Sequence, residues 1–158
     1  MAFEKVKEYF EGQGLAERVV VRAQIGDTVE NAAQAVGCEP AQIAKTMSFM
    51  QNDGPVLIVT AGDAKVNNTK YKACFGQKAI MIPGDRLEEL IGHEPGAVCP
   101  YAINEGVRVY LDESLKRFEV VHSSGGSLNS TVTISPVELE KHSGSLGWID
   151  VCKGWNDD

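Results

Sequence analysis

No CxxC pair occurs anywhere in the chain. None of the four cysteines, Cys38, Cys74, Cys99 and Cys152, stands at zinc-ligand spacing from His93, His122 or His142. Spacing therefore supports no metal site, and free thiols are expected, as in a reducing compartment. Positive charge is also in short supply. Fifteen Lys and Arg against 22 Asp and Glu give a net charge of -7, which argues against a broad basic face wrapped around nucleic acid, and against DNA as a partner. It leaves room for a local contact to one end of an RNA through a few lysines. The longest apolar run, Pro55 to Ala61, is far too short to span a bilayer. The stretch Met1–Glu8 is charged and has no apolar h-region, so it does not read as a secretion signal. There is no internal repeat and no low-complexity linker. These absences lead us to expect a cytoplasmic protein with no membrane partner and no cofactor, disordered at most at the acidic end, Asp157 and Asp158.

What is present is ordinary for a globular chain. Hydrophobic residues make up 43% and charged residues 23% of 158 positions, which suits one domain over residues 1–158 with a sizeable core. The most informative stretch is Ile43-Ala44-Lys45-Thr46-Met47-Ser48-Phe49-Met50. It alternates as a strand does, with Lys45, Met47 and Phe49 on one row and Thr46, Ser48 and Met50 on the other. Lysine on an apolar row is unusual. It is either a stem snorkelling from a strand end or a fixed positive charge at the mouth of a pocket.

Around this strand the local signals are dense. Phe3, Val6 and Phe10 have helical spacing, and Gly12 and Gly14 end that helix. Arg18–Arg22 is β-branched and reads as a strand. Thr28 caps a helix over Val29–Val36 that Gly37 closes, and Pro40 starts a short helix to Ala44. Asn52-Asp53-Gly54 marks a hairpin, after which Pro55–Ala61, apolar on both faces, reads as a central covered strand. Asn67 or Asn68 caps a helix to Phe75, ended by Gly76. Lys78–Ile82 reads as a strand, and Pro83 and Asp85 open a helix through Ile91. A loop, Gly92–Asn104, follows. Val107–Leu111, Phe118–His122 and Ser130–Ile134 read as strands, with a turn at Ser123–Ser127. Ser135, Pro136 and Glu138 form the capping box of a last helix to His142. About seven strands and five helices with mixed connections give an α+β fold. Its sheet is mixed and mostly antiparallel, partly barrel-like, and flanked by helices.

Several of these segments, in this order, resemble the YbaK family of aminoacyl-tRNA editing domains. They are Thr28–Ala33, Gly37 and Gln42–Thr46; Gly54–Val59 with Gly62-Asp63; Gly92–Pro100, which holds a G-x-x-x-P from Gly96 to Pro100; and Val121–Ser127 with the Ser135-Pro136-x-x-Leu139 helix start. The resemblance covers about residues 15 to 145. It implies a trans-editing deacylase that hydrolyses the ester between a wrong amino acid and the 3′ acceptor end of a tRNA, typically the tRNA for proline. An aminoacyl-tRNA synthetase is an implied partner. Lys45 and Gly96 match the family's catalytic positions. Thr46, Ala97, Val98, Cys99, Pro100, His122, Ser124 and Gly125 are the candidate substrate-binding residues. The family is thought to use the substrate's own ribose hydroxyl and a water.

The chemistry suits these residues. Ester hydrolysis builds negative charge on the carbonyl oxygen and needs oriented donors; glycine lets backbone N–H groups come close; proline fixes the loop exit; an ammonium can hold a terminal phosphate. Blander readings stand beside them. Gly96 and Pro100 can be loop punctuation, His122 a sheet-edge residue, and Cys99 a small core residue or a nucleophile with His93 or His122 as base. The sequence departs from the family pattern at Ala97, Cys99 and Ser127-Leu128-Asn129. That bears on which amino acid is removed and supports a second reading, a non-catalytic aminoacyl-tRNA or amino-acid binding or regulatory module. Lys65, Lys70 and Lys72, clustered around the Asn67–Phe75 helix, read equally as a solvated helix face or as the further lysines that meet RNA.

Overall fold

The computed structural model describes residues 2–156, so the acidic end at Asp157 and Asp158 lies outside the described residues. In chain order the elements are α1 (Ala2–Gly12), a 3-10 turn (Ala16–Arg18), β1 (Val19–Val21), α2 (Val29–Val36), a 3-10 turn (Pro40–Gln42), β2 (Ala44–Gln51), β3 (Gly54–Ala61), β4 (Lys65–Val66) and α3 (Asn68–Phe75). After a 3-10 turn at Gly84–Arg86 come α4 (Leu87–Leu90), β5 (Arg108–Asp112), a 3-10 segment (Glu113–Arg117), β6 (Val121–Ser124), β7 (Ser130–Ile134), α5 (Pro136–His142), β8 (Trp148–Ile149) and β9 (Cys152–Lys153).

β3 is the axis of the molecule. Every residue from Val56 to Thr60 is fully buried, so its apolar run is covered on both faces. β2 pairs antiparallel on one side of it and β5 parallel on the other, with β8 beyond. A second sheet has the order β1-β7-β6 and is antiparallel throughout. A single parallel bridge, Ile43 to His122, joins the two sheets. The fold is thus α+β with a mixed sheet, as expected. The barrel-like closure reduces to that one bridge, and no closed barrel forms among the described residues. A short ribbon, β4 with β9, stands apart.

The helices follow their caps. Thr28 and Gly37 bound α2, Asn67 and Gly76 bound α3, and the Ser135–Glu138 capping box opens α5. α1 buries Val6 and Phe10, and Phe10 meets Tyr101 edge-on at 5.0 Å. Four expectations are corrected. The Lys78–Ile82 strand shrinks to one bridge between Met81 and Phe49, because Pro83 follows at once and has no N–H to extend the ladder. The strand expected over Phe118–His122 begins only at Val121, since Asp112 caps a 3-10 segment that Phe118 closes. The helix expected from Pro83 is a 3-10 turn followed by the single turn of α4. The helix expected over Pro40–Ala44 is the 3-10 turn Pro40–Gln42, and Ala44 already belongs to β2. Among the described residues no helix is long and apolar enough to cross a membrane.

Candidate active site

The site grows out of the free edge of β2. Gln51 and Gly54 flank a two-residue turn, so they form the hydrogen-bonded pair that closes the hairpin, and bonded pairs alternate from there. Odd-numbered residues of β2 aim their backbone groups at β3; Ala44, Thr46, Ser48 and Met50 aim theirs outward. At one end that outer edge is covered, with Met50 N–H donating to the Ile80 carbonyl at 2.8 Å and Ile82 N–H to the Ser48 carbonyl at 3.1 Å. At the other end His122 bridges Ile43. Thr46 falls in the gap, and a cavity of about 350 Å³ opens there.

Five parts of the chain wall this cavity: Ile43 with the first residues of β2 to Ser48, Gly96 and Val98 of the long loop, His122–Ser124 of β6, the Gly26–Val29 entry to α2, and Leu128–Thr131 leading into β7; Arg22 and Met81 also line it. Lys45 and Thr46, Gly96 and Val98, and His122 and Ser124 are therefore brought together. Ala97, Cys99, Pro100 and Gly125 are not among the lining residues. They are buried behind it. Gly125 packs against β7, where an added Cβ would come within 2.8 Å of Ser130 Oγ.

Each lining group is held by its neighbours. Lys45 is half-buried opposite the fully buried Thr60. Burial pushes its pKa below the ordinary lysine value; the charge of Lys65 acts in the same direction, and Cys152, Asp63 and Glu30 oppose it. Thr46 Oγ1 is buried and has no hydrogen-bond partner. Gly96 adopts φ 84°, and a Cβ there would meet Leu128 Cδ2 at 3.0 Å and Asp27 Cβ at 3.3 Å. Glycine is thus demanded twice, by conformation and by room. Pro95 and Pro100 carry no N–H, and the Ala97 amide donates to the Glu94 carbonyl at 3.0 Å. Gly96 and Val98 are the loop residues that line the cavity. His122 Nδ1 lies 2.9 Å from Thr133 Oγ1; burial, then the nearby Arg22, lower its pKa. Ser124 Oγ donates to the Ala97 carbonyl at 3.0 Å.

Arg22 and Asp27 are lining residues that the sequence did not single out; Asn129, a departure from the family pattern, lines the cavity with them. Arg22 Nε donates to Thr131 Oγ1 at 3.0 Å, and the Arg22 and Asn129 backbones are joined at 2.6 Å. Asp27 accepts from Asn31 Nδ2 at 3.0 Å. Their only local signal was the Thr28 cap beside Asp27. Among the described residues no group of three or more His, Cys, Asp or Glu could hold a metal ion.

This is a cavity of small-ligand size, walled by one lysine, buried hydroxyls and a glycine-turned loop, at a sheet edge. The chain belongs to the aminoacyl-tRNA editing domain family, whose model matches residues 24–142. It is 42% identical over 156 residues to the Bacillus subtilis protein YwhH, covering 98% of this chain and 99% of that one. It is also 32% identical over 95 residues to the proline–tRNA ligase of Limosilactobacillus fermentum, covering 56% of this chain but only 17% of the ligase. A crystal structure described as a candidate trans-editing enzyme for prolyl-tRNA synthetase superposes with a TM-score of 0.86 at 28% identity, over 97% of this chain and 98% of that one.

Proposed function

We propose that this protein is an aminoacyl-tRNA deacylase acting in trans in the cytoplasm. It hydrolyses the ester that joins a wrong amino acid to the 3′ end of a tRNA, the tRNA for proline, in association with the corresponding synthetase. The observation that carries this reading is the meeting of Lys45 and Thr46 with Gly96 and Val98 across one cavity.

The chemistry runs as follows. Attack on the ester carbonyl places negative charge on its oxygen, and preorganised N–H donors stabilise that charge. The Gly96 and Val98 amides serve as those donors. Lys45 supplies a positive charge at the same cavity for the terminal phosphate or the reacting group. A buried hydroxyl without a partner is costly, and the substrate completes Thr46 Oγ1. The nucleophile is a water oriented by the substrate's ribose hydroxyl. Two departures from the family pattern, Ala97 and Cys99, lie outside the cavity lining, which supports retained catalysis. Leu128 and Asn129 do line it and bear on which amino acid is accepted.

The test is deacylation of a panel of mischarged tRNAs, with Lys45→Ala beside the natural chain. At least one mischarged tRNA for proline should be hydrolysed, and Lys45→Ala should lose about 10²–10³ in rate, as for one positioned donor, while its unfolding curve stays in place. Binding of a mischarged tRNA without hydrolysis would establish the non-catalytic module instead.

A further inference from the structure

The ribbon of β4 and β9 sets two lysines face to face. Its register pairs Val66 with Cys152 and Lys65 with Lys153. Cys152 is fully buried, whereas Lys65 and Lys153 are exposed. Directly opposed side chains on an antiparallel pair sit about 5 Å apart at Cβ, and like charges there are destabilising. In a chain with a net charge of -7, compensation should be easy to find. Among the described residues it is not supplied, because the neighbouring carboxylates are committed elsewhere. Asp63 is held by both outer nitrogens of Arg117, at 2.6 and 3.0 Å. Asp150 pairs with Lys70 at 3.2 Å. Asp112 accepts from the Ser114 and Val151 amides, each at 2.9 Å. Among the described residues neither Lys65 nor Lys153 makes an ion pair. The ribbon also lies close to the cavity, since Lys65 is near enough to Lys45 for their charges to interact.

We propose that Lys65 and Lys153 form a clamp for backbone phosphates of an RNA whose 3′ end enters the Lys45 cavity. This rests on the deacylase reading and adds the place where the RNA strand is gripped. Of the three lysines the sequence suggested for RNA, Lys70 is already spent on Asp150 and on the Cys152 carbonyl, 2.9 Å away. Lys65 and Lys72 remain, and of these the fold sets Lys153, from 88 residues further on, directly opposite Lys65. An ammonium pair is a point-charge phosphate binder without base preference, so the clamp positions the strand and leaves the choice of amino acid to the cavity.

The test uses the full chain and its Lys65→Gln/Lys153→Gln double variant. Binding of an uncharged tRNA transcript is titrated with salt. Hydrolysis is followed on a mischarged tRNA and on a 3′-aminoacyl adenosine, which lacks the neighbouring phosphates. The double variant should lose about 1.4 from the salt slope, two phosphates at about 0.7 each for a single strand. It should raise KM for the mischarged tRNA with kcat unchanged and hydrolyse the adenosine ester at the natural rate. Its melting temperature should be equal or higher, since a repulsion is removed. Lys65→Arg/Lys153→Arg should bind as the natural chain does. An unchanged slope and KM, or an equal loss on both substrates, overturns the clamp. If neither substrate is hydrolysed by the natural chain, the deacylase reading falls, and the salt slope alone still decides the clamp.

Discussion

Ser124 Oγ donates to the Ala97 carbonyl at 3.0 Å and accepts from the Gly126 amide at 3.1 Å. One hydroxyl thus ties the end of β6 and its turn to the Gly96–Pro100 loop. The cavity walls contributed by Gly96 and Ser124 keep their spacing through this bond. Ser124→Ala leaves both backbone groups without that partner, which should cost about 1–2 kcal/mol of stability in denaturant unfolding. Displacing a positioned loop by about 1 Å can cost about 10²-fold in rate, so deacylation should fall by at least tenfold in a folded variant. An undiminished rate would show that the loop holds its place without Ser124.

Cys99 should be dispensable for catalysis. Its side chain is fully buried, and burial pushes its thiol pKa up to about 12. His93 Nε2 lies 2.8 Å from the Tyr101 carbonyl and 3.4 Å from Cys99 Sγ. A carbonyl only accepts, so that nitrogen carries the hydrogen and cannot take the thiol's proton. Cys99→Ser and Cys99→Ala should keep most of their activity, and iodoacetamide on the native protein should label the exposed Cys74 and spare Cys99. A dead but correctly folded Cys99→Ser would revive the thiol mechanism.

Gly62 should tolerate no side chain. A Cβ there would fall on the Pro40 carbonyl oxygen and come within 2.8 Å of Val29 Cγ1. That contact seats the Pro40–Gln42 turn, which delivers Ile43 and Ala44 to the head of β2. Gly62→Ala should destabilise by about 1–3 kcal/mol, as overpacking does, and lower activity because Lys45 follows directly on that turn. A melting curve identical to that of the natural chain would refute the packing argument.

The parts of this fold that were readable from sequence are those fixed within four residues. Thr28 with Gly37, Asn67 with Gly76, and Ser135 with Glu138 each decide a helix end through bonds to their own neighbours. The β2–β3 hairpin was legible for the same reason. What was missed depends on distant partners. β8 and β9 are two residues each, too short to show a period, and exist because Leu111 pairs with Trp148 and Val66 with Cys152. Within the site, the Lys45 alternation and the Gly96 loop were legible. Arg22 and Asp27 were not, because they reach the cavity only when β1 docks on β7.

Stability should fall as pH drops from about 7.5 to 5. His93, His122 and His142 all have pKa values lowered chiefly by burial. In the unfolded chain each titrates near about 6.5. The unfolded state therefore binds protons first, and the stability present above that value is lost as pH falls below it. His93 should dominate. It is fully buried, its Nε2 hydrogen is used on Tyr101, and its Nδ1 has no partner, so a second proton would place an unpaired charge in the core. His93→Gln can keep a donor toward the Tyr101 carbonyl while removing the titration. Thermal unfolding followed across this range should show a falling melting temperature in the natural chain and a flatter line in His93→Gln. A melting temperature that stays level or rises on acidification would mean that the buried imidazoles find acceptors when they charge.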